Sequence, residues 1–407
     1  MNKAGRLRGL ALLGPAIVVG VAYMDPGNIA TNLAAGGQFD MQLAWVVVLA
    51  TLTAWLVQYL SAKLGLITGE TVPELMGKRL KSSANRIGFW IQAQAAATAT
   101  DVAEVIGGAI ALNLLFNLPY LIGGAITGLI SMALLSIHSR GLVRAFEIVI
   151  LGLVLTTGFG FIASLVVAHS NLGYAVAGLV PTIDNRSMLL VAGIIGATIM
   201  PHAIYAHSAL TRDRFKVIID TNNVAKLLRV TRWDVTIAMV IAGSISLSVL
   251  FVGAIYINVN DGESDWFAQT WTMLSDTLGH AFAVLFAIGL LASGLASSAV
   301  GTYAGSVISS GLLRRKYSPL ALRMLTLLPA LAVLALPFPL EYLLVLSQVL
   351  LSFCLPFALF PLVRLTSDSK LMGKYANATA TRIIGYAVTV TITLLNVYLL
   401  TGLIFGN

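Results

Sequence analysis

The sequence predicts an all-α protein that crosses a membrane many times, and three observations carry that expectation. Of its 407 residues, 58% are hydrophobic and only 10% are charged, where a soluble domain carries about 25% charged residues. Windows of about twenty apolar residues recur along the chain, the length a helix needs to cross a hydrocarbon core. Two of these windows are broken by a proline beside polar or soft side chains, at Asp25-Pro26-Gly27-Asn28 and at Met200-Pro201-His202, nearly half the chain apart.

Taken in order, the windows place eleven spans at 10–36, 43–67, 87–112, 119–138, 146–169, 188–210, 234–257, 279–312, 318–339, 341–363 and 383–404. The first resembles a signal peptide, but its length and the ten spans behind it mark it as retained. The loops are short, which predicts one transmembrane domain over 1–407. Inside belong Lys3, Arg6 and Arg8, then Lys63, Lys78, Arg79, Lys81 and Arg86, then Arg140 and Arg144. Arg212, Arg214, Lys216, Lys226, Arg229 and Arg232 follow, with Arg314, Arg315, Lys316, Arg323, Arg364, Lys370, Lys374 and Arg382. All but Arg186 of the 25 Lys and Arg thus fall on the side of the N-terminus. The positive-inside rule then makes the N-terminus cytoplasmic and the C-terminus extracellular, in a multi-pass protein of the cell membrane. The net charge of +8 reports this orientation and contact with the anionic lipid bilayer, and not nucleic acid. The single cysteine, Cys354, excludes an intrachain disulfide.

Two loops carry local signals. Thr71-Val72-Pro73-Glu74 fits a capping box and predicts a short cytoplasmic helix through Leu80. The stretch 258–278 holds Asp261, Glu263, Asp265 and Asp276 without a basic residue and reads as a solvated acidic loop, with cation gathering as the less favoured alternative.

Spans one to five (10–169) and six to ten (188–363) form two sets of five. An odd number per set forces the second to be inverted, the arrangement of LeuT-type transporters, whose sites lie between interrupted helices in matching halves. The helix at 383–404 stands outside the repeat as a buttress. The site is therefore expected between the breaks in the first and sixth spans.

A carboxylate at a helix centre in a bilayer costs roughly 2.5–3.5 kcal/mol, so Asp25 calls for a reason. At the Pro-Gly break the backbone leaves helical geometry and exposes carbonyls such as that of Ala22. The C-terminal end of a half-helix also favours a cation. Asp25 and Asn28 can then converge on one ion; a structural kink is the less favoured reading. Met200 supplies a soft thioether, suited to Mn²⁺, Fe²⁺, Co²⁺ or Cd²⁺ and of little use to Mg²⁺ or Ca²⁺. The carbonyl of Ala197, one turn before the proline that lacks an N–H, is a further candidate oxygen. His202 and His207 lie about 140° apart on a helix and cannot act as a metal pair. His202 is expected to titrate, and His207 to sit at the cytoplasmic end. Asp101 and Glu104 share a face of the third span and suit a proton relay, with a hydrogen-bonded structural pair as the alternative. Arg323 is either their charge partner or a snorkelling arginine. Gln58 and Gln348 are mid-span amides that could gate the path or lend an oxygen, and interhelical hydrogen bonding explains them equally well.

With these residues in view, a resemblance emerges over nearly the whole chain. Asp25-Pro26-Gly27-Asn28 with Ile29-Ala30-Thr31 resembles the first-helix motif of the Nramp family of proton-coupled divalent-metal transporters. Met200-Pro201-His202, with Tyr205, His207 and Ser208-Ala209-Leu210, is similar to the family's sixth-helix motif, and Gly301-Thr302-Tyr303-Ala304-Gly305 to its eighth. The resemblance implies metal ligands at Asp25, Asn28, Met200 and the carbonyls of Ala22 and Ala197, with Gln348 joining in some states. It implies a proton route over Asp25, His202, Asp101, Glu104 and Arg323, and Met200 sets the chain apart from magnesium-transporting relatives. Gln94, Leu295 and Ser246 depart from the glutamate, glutamine and asparagine common at those positions, and Gln94 bears on the strength of proton coupling. The expected function is secondary import of Mn²⁺, with Fe²⁺, Co²⁺ and Cd²⁺, alongside H⁺. No cofactor, no enzymatic activity and no obligate protein partner are expected. Two readings compete, beside a third, a metal-gated channel or sensor, which a saturable rate with coupled proton movement would exclude. One is a sodium-coupled organic-solute carrier, whose carboxylate substrate Asp25 would repel. The other is an intramembrane metallohydrolase using His202, His207 and Asp101, which fails on spacing.

Overall fold

The computed structural model describes residues 14–139, 152, 178–182, 184–215, 223–257, 265–315 and 317–405. Among them, seven helical stretches are long and apolar enough to cross a membrane, and two shorter helices, 120–134 and 320–334, are apolar as well. Ten of the expected spans coincide with described helices; the fifth, 146–169, lies outside the described residues apart from 152.

The first span is two pieces. Helix α1 (Pro15–Gly20) runs into a 3-10 turn, Val21–Met24, and α2 (Pro26–Phe39) restarts after Asp25. Helix α3 (Ala44–Thr68) follows and ends at Gly69, whose φ of 65° forms a left-handed cap. The expected capping box is present: Thr71 Oγ1 accepts from Glu74 N, the Glu74 carboxylate accepts from Thr71 N, and α4 spans Val72–Arg79. Long helix α5 (Ser83–Phe116) and α6 (Tyr120–Ser139) complete the described part of the first half.

The second half opens with another broken span, α7 (Met188–Ile199) and α8 (Pro201–Phe215). It continues through α9 (Val224–Tyr256), α10 (Trp266–Leu278), α11 (His280–Leu313), α12 (Pro319–Leu334) and α13 (Leu340–Thr366). The stretch expected as an acidic loop is thus partly helical. Asp265 caps α10 by accepting from Ala268 N, and Trp266, Phe267, Thr270 and Leu274 are buried, a face that tethers the segment instead of leaving it solvated.

The two broken spans lie against each other in crossed order. Helix α1 packs on α8, and α2 packs on α7, the pairing that two antiparallel interrupted helices produce. Around them, α5 packs on α11, α9 on α2 and α3, and α13 on α7 and α5. After the short α14 (Ser369–Met372), α15 (Thr379–Phe405) lies along α13. It is stapled there by Asn396, whose Nδ2 donates to the Ser352 carbonyl at 2.7 Å while Ser352 Oγ donates back to Asn396 Oδ1 at 2.9 Å. Polar ties gather at one end of the bundle. Arg212 spans to Glu74 at 2.8 Å, joining α8 to α4. Arg79 meets Asp368 at 2.5 Å, and that hydrogen bond holds the Asp368 carboxyl below the usual carboxylate range.

Candidate functional site

The first break is built by three consecutive residues. Asp25 is extended (φ −67°, ψ 160°) and acts as the N-cap of α2, with Pro26 at the first helical position. Proline fits there because its missing N–H would have lacked a partner in any case and its φ is already helical. The Asp25 carboxylate accepts from Asn28 N at 2.8 Å through one oxygen and from Gln348 Nε2 at 3.2 Å through the other. The Ala22 carbonyl closes the 3-10 turn by accepting from Asp25 N at 3.3 Å. Asp25 and Ala22 are fully buried, Asn28 very nearly so.

At the second break, α7 ends at Ile199 and Met200 takes φ 37°, ψ 108°. A positive φ on a residue other than glycine costs on the order of 1–3 kcal/mol and persists only where its surroundings enforce it. Pro201 cannot supply the N–H that the Ala197 carbonyl would have bound in a continuous helix. That carbonyl accepts instead from Asn28 Nδ2 at 3.3 Å. One side chain therefore joins the two breaks, and Asp25, Asn28, Ala197 and Gln348 form a connected buried group. Met200 is fully buried at the break itself.

Two members of this group escaped sequence reasoning as site residues. Asn32 Nδ2 reaches Asn28 Oδ1 at 2.5 Å, and Ser246 Oγ reaches the same oxygen at 3.2 Å. The signal for Asn32 was its i+4 spacing from Asn28 on α2, one turn along the same face. Ser246 stood out only as a departure from a family pattern. Ser293 Oγ also donates to the Met24 carbonyl, fixing the unwound segment to α11.

The acids of α5 sit beside this group. A Cβ on Gly107 would fall 2.1 Å from Pro26 Cβ, so the helix carrying Asp101 and Glu104 touches the first break where it lacks a side chain. Arg323 Nη1 lies 3.0 Å from Asp101 Oδ1 and 3.7 Å from Glu104 Oε2. Its Nε donates to Ser131 Oγ at 3.0 Å, and Ser297 Oγ donates to Glu104 Oε1 at 2.7 Å. Arg323 is completely buried, which fits the charge-partner reading and not snorkelling. Gln94 lies further along α5, where its carbonyl oxygen is 3.5 Å from Ser309 Oγ.

His202 Nδ1 is 3.3 Å from Thr100 Oγ1, which brings α8 to the residue next to Asp101. His207, expected at a cytoplasmic end, is buried: its Nδ1 is 2.8 Å from Gln58 Oε1. The burial follows from packing, since α8 lies along α3 and His207 falls on that face. Among the described residues no three His, Cys, Asp or Glu side chains gather as a metal-holding group, so the ligand set of the metallohydrolase reading is not brought together.

Residues 16–402 match the family model described as Nramp, natural resistance-associated macrophage protein-like. The chain is 50% identical over 390 residues to the divalent metal cation transporter MntH of Mycobacterium tuberculosis, covering 96% of this chain and 91% of that relative. The Eremococcus coleocola manganese transporter, solved with a bis-isothiourea compound, superposes with a TM-score of 0.85 at 30% identity, over 95% of this chain and 85% of that one. Mhp1, a nucleobase-cation-symport-1 family transporter, superposes with a TM-score of 0.51 at 16% identity, over 96% and 90%; this likeness concerns the fold alone, and it is the interrupted-helix architecture expected from the sequence. With the family model matched almost end to end and half the residues shared with a relative of nearly equal extent, the chain belongs to the Nramp family.

Proposed function

We propose that this protein is a secondary importer of divalent transition-metal ions, Mn²⁺ above all with Fe²⁺, Co²⁺ and Cd²⁺, coupled to H⁺ by alternating access. The observation that carries the proposal is the contact of Asn28 with Ala197 across two proline breaks, beside the buried Asp25 and Met200. One carboxylate, one thioether, amides and carbonyls at the helix breaks suit a borderline-soft divalent ion that must also be released. The names of the relatives, a divalent metal cation transporter and a manganese transporter, support the same substrate class. The ligands are Asp25, Asn28, Met200, the carbonyls of Ala22 and Ala197, and Gln348.

Protons move over Asp25, His202, Asp101 and Glu104, with Arg323 balancing the acids; Gln58, bonded to His207, gates the path. Spans one to five and six to ten act as inverted halves in the cell membrane, with the N-terminus cytoplasmic and the C-terminus extracellular. The organic-solute reading is weaker, because a substrate carboxylate would meet the Asp25 carboxylate. The test is uptake of Mn²⁺, Cd²⁺, Mg²⁺ and Ca²⁺ into proteoliposomes with internal pH recorded together. Wild-type protein is expected to take up Mn²⁺ and Cd²⁺ with acidification, and Asp25→Ala to do neither while remaining folded. Normal Mn²⁺ uptake by Asp25→Ala would sink the site.

A further inference from the structure

Asn32 lies one turn beyond Asn28 on α2, fully buried, and is not among the donors proposed for the cation. Its Nδ2 donates to Asn28 Oδ1 at 2.5 Å and to the Asn28 backbone oxygen at 2.9 Å. Its own Oδ1 is buried and meets no hydrogen-bond partner. An unpaired amide oxygen in a protein interior is costly and uncommon, so its placement calls for a reason.

The reason lies in how Asn28 is turned. Its Nδ2 faces the Ala197 carbonyl at 3.3 Å, and its Oδ1 faces Asn32 and Ser246. A cation held by both Asn28 Oδ1 and the Ala197 oxygen would meet an NH₂ group where it needs an oxygen. Binding therefore requires the Asn28 amide to turn over about its terminal torsion, a broad sp³–sp² rotation. The NH₂ group then enters the space between Ser246 and Asn32 and needs acceptors there. Ser246 Oγ has lone pairs to offer. Asn32 offers its unpaired oxygen, provided its amide turns as well.

We propose that Asn32 is a positioning residue for the transported metal: its amide turns together with that of Asn28, and its oxygen, unpartnered in the structure, receives the Asn28 NH₂ when Asn28 Oδ1 faces the cation. The proposal rests on the assignment of Asn28 as a metal ligand and deepens it. Metal selectivity and affinity then depend on a residue one turn removed from the ion.

The experiment measures KM and Vmax for Mn²⁺ uptake in proteoliposomes, and Kd for Cd²⁺ by calorimetry on the purified protein. Asn32→Leu keeps the branched shape and removes both polar atoms. It is expected to raise KM and Kd about tenfold, the worth of one buried hydrogen bond, with Vmax within about twofold of wild type. Asn32→Asp, an acceptor on both oxygens when ionised, holds the Asn28 NH₂ in the turned position and is expected to lower KM. If Asn32 merely stiffened α2 through the bond it donates to the Asn28 backbone, the aspartate would lose that donor and behave like leucine. A tenfold rise in KM for Asn32→Asp, or wild-type values for Asn32→Leu, overturns the proposal. Should the leucine variant not fold, the aspartate variant decides alone. Asn28→Ala is run beside them: normal uptake there removes the site assignment itself, whereas loss there with unchanged Asn32→Leu removes only the coupled turn.

Discussion

Gly27 and Gln348 compete for one volume: a Cβ at position 27 would stand 1.7 Å from Gln348 Nε2. The missing β-carbon is what lets the amide of α13 reach the Asp25 carboxylate at 3.2 Å. The glycine of the first break is therefore a packing requirement as much as a backbone one, since it brings the tenth span onto the unwound segment.

Gly27→Ala is expected to leave the fold intact, because the far end of a glutamine can swing away, but to displace Gln348 from Asp25. Mn²⁺ uptake should fall about tenfold or more, and pairing the change with Gln348→Ala should restore part of it by removing the clash. Equal uptake by wild type and Gly27→Ala would show that the Gln348 contact has no bearing on transport.

Met200→Ala removes the only soft donor proposed at the second break. Loss of a thioether penalises the softest ion most, and water can fill the position for a hard one. Competition assays should show Cd²⁺ weakened more than Mn²⁺, with Ca²⁺ or Mg²⁺ gaining relative access. A parallel loss for Cd²⁺ and Mg²⁺ would assign Met200 to packing.

Arg323→Ala leaves two buried carboxyls without their counter-charge, a change that typically costs about 3–5 kcal/mol. The variant should show a markedly lower melting temperature in detergent. Adding Asp101→Asn and Glu104→Gln to Arg323→Ala should recover much of it, since neutral side chains no longer need the guanidinium. Failure of that recovery would mean that Arg323 acts through its bond to Ser131 rather than through the acids.

Asp101→Asn separates the relay from the metal site. It keeps the size of the side chain and removes the titratable proton. Metal-linked acidification of the vesicle interior should largely vanish while much of the Mn²⁺ uptake survives. Unchanged acidification would make these acids structural.

Asp234, buried on α9, accepts from Gly14 N at 3.2 Å and Ala16 N at 2.9 Å, and so caps the start of α1 from a different helix. Asp234→Ala should cost about 1 kcal/mol, as loss of an N-cap does, and the loss should be local. Hydrogen–deuterium exchange over residues 15–24 should quicken, with α5 and α11 unaffected. Uniform exchange across all helices would contradict a local cap.

The sequence revealed most of the fold because lipid leaves a helix few alternatives: backbone groups must be paired internally, so apolar windows of the right length become helices. Both breaks were legible for the same reason, since proline and glycine inside such windows are conspicuous. The capping box at Thr71 and Glu74 was readable because the chemistry is confined to four residues. What escaped depended on contacts across the bundle. Nothing local to His207 announces Gln58, which lies 149 positions away, and Arg323 could be told from a snorkelling side chain only once α5, α6 and α12 were set side by side. Asn32 stands outside both breaks, and its tie to Asn28 Oδ1 depends on side-chain orientation that spacing alone does not give. The acidic stretch 258–278 misled because most of its charges precede the helix, and Asp276 is separated from the buried face of Trp266, Phe267, Thr270 and Leu274.

The crossed pairing of α1 with α8 and α2 with α7 bears on release of the cargo. Each proline break is braced by the half-helix from the other side of the opposite break, and among the described residues an amide–carbonyl contact of 3.3 Å from Asn28 to Ala197 stitches the two. A bond of that kind is worth only about 1 kcal/mol net, so little is lost when a cargo ion takes its place between Asn28 and Ala197. Weak stitching at the centre of a rigid bundle is what a carrier needs if it is to release what it has bound.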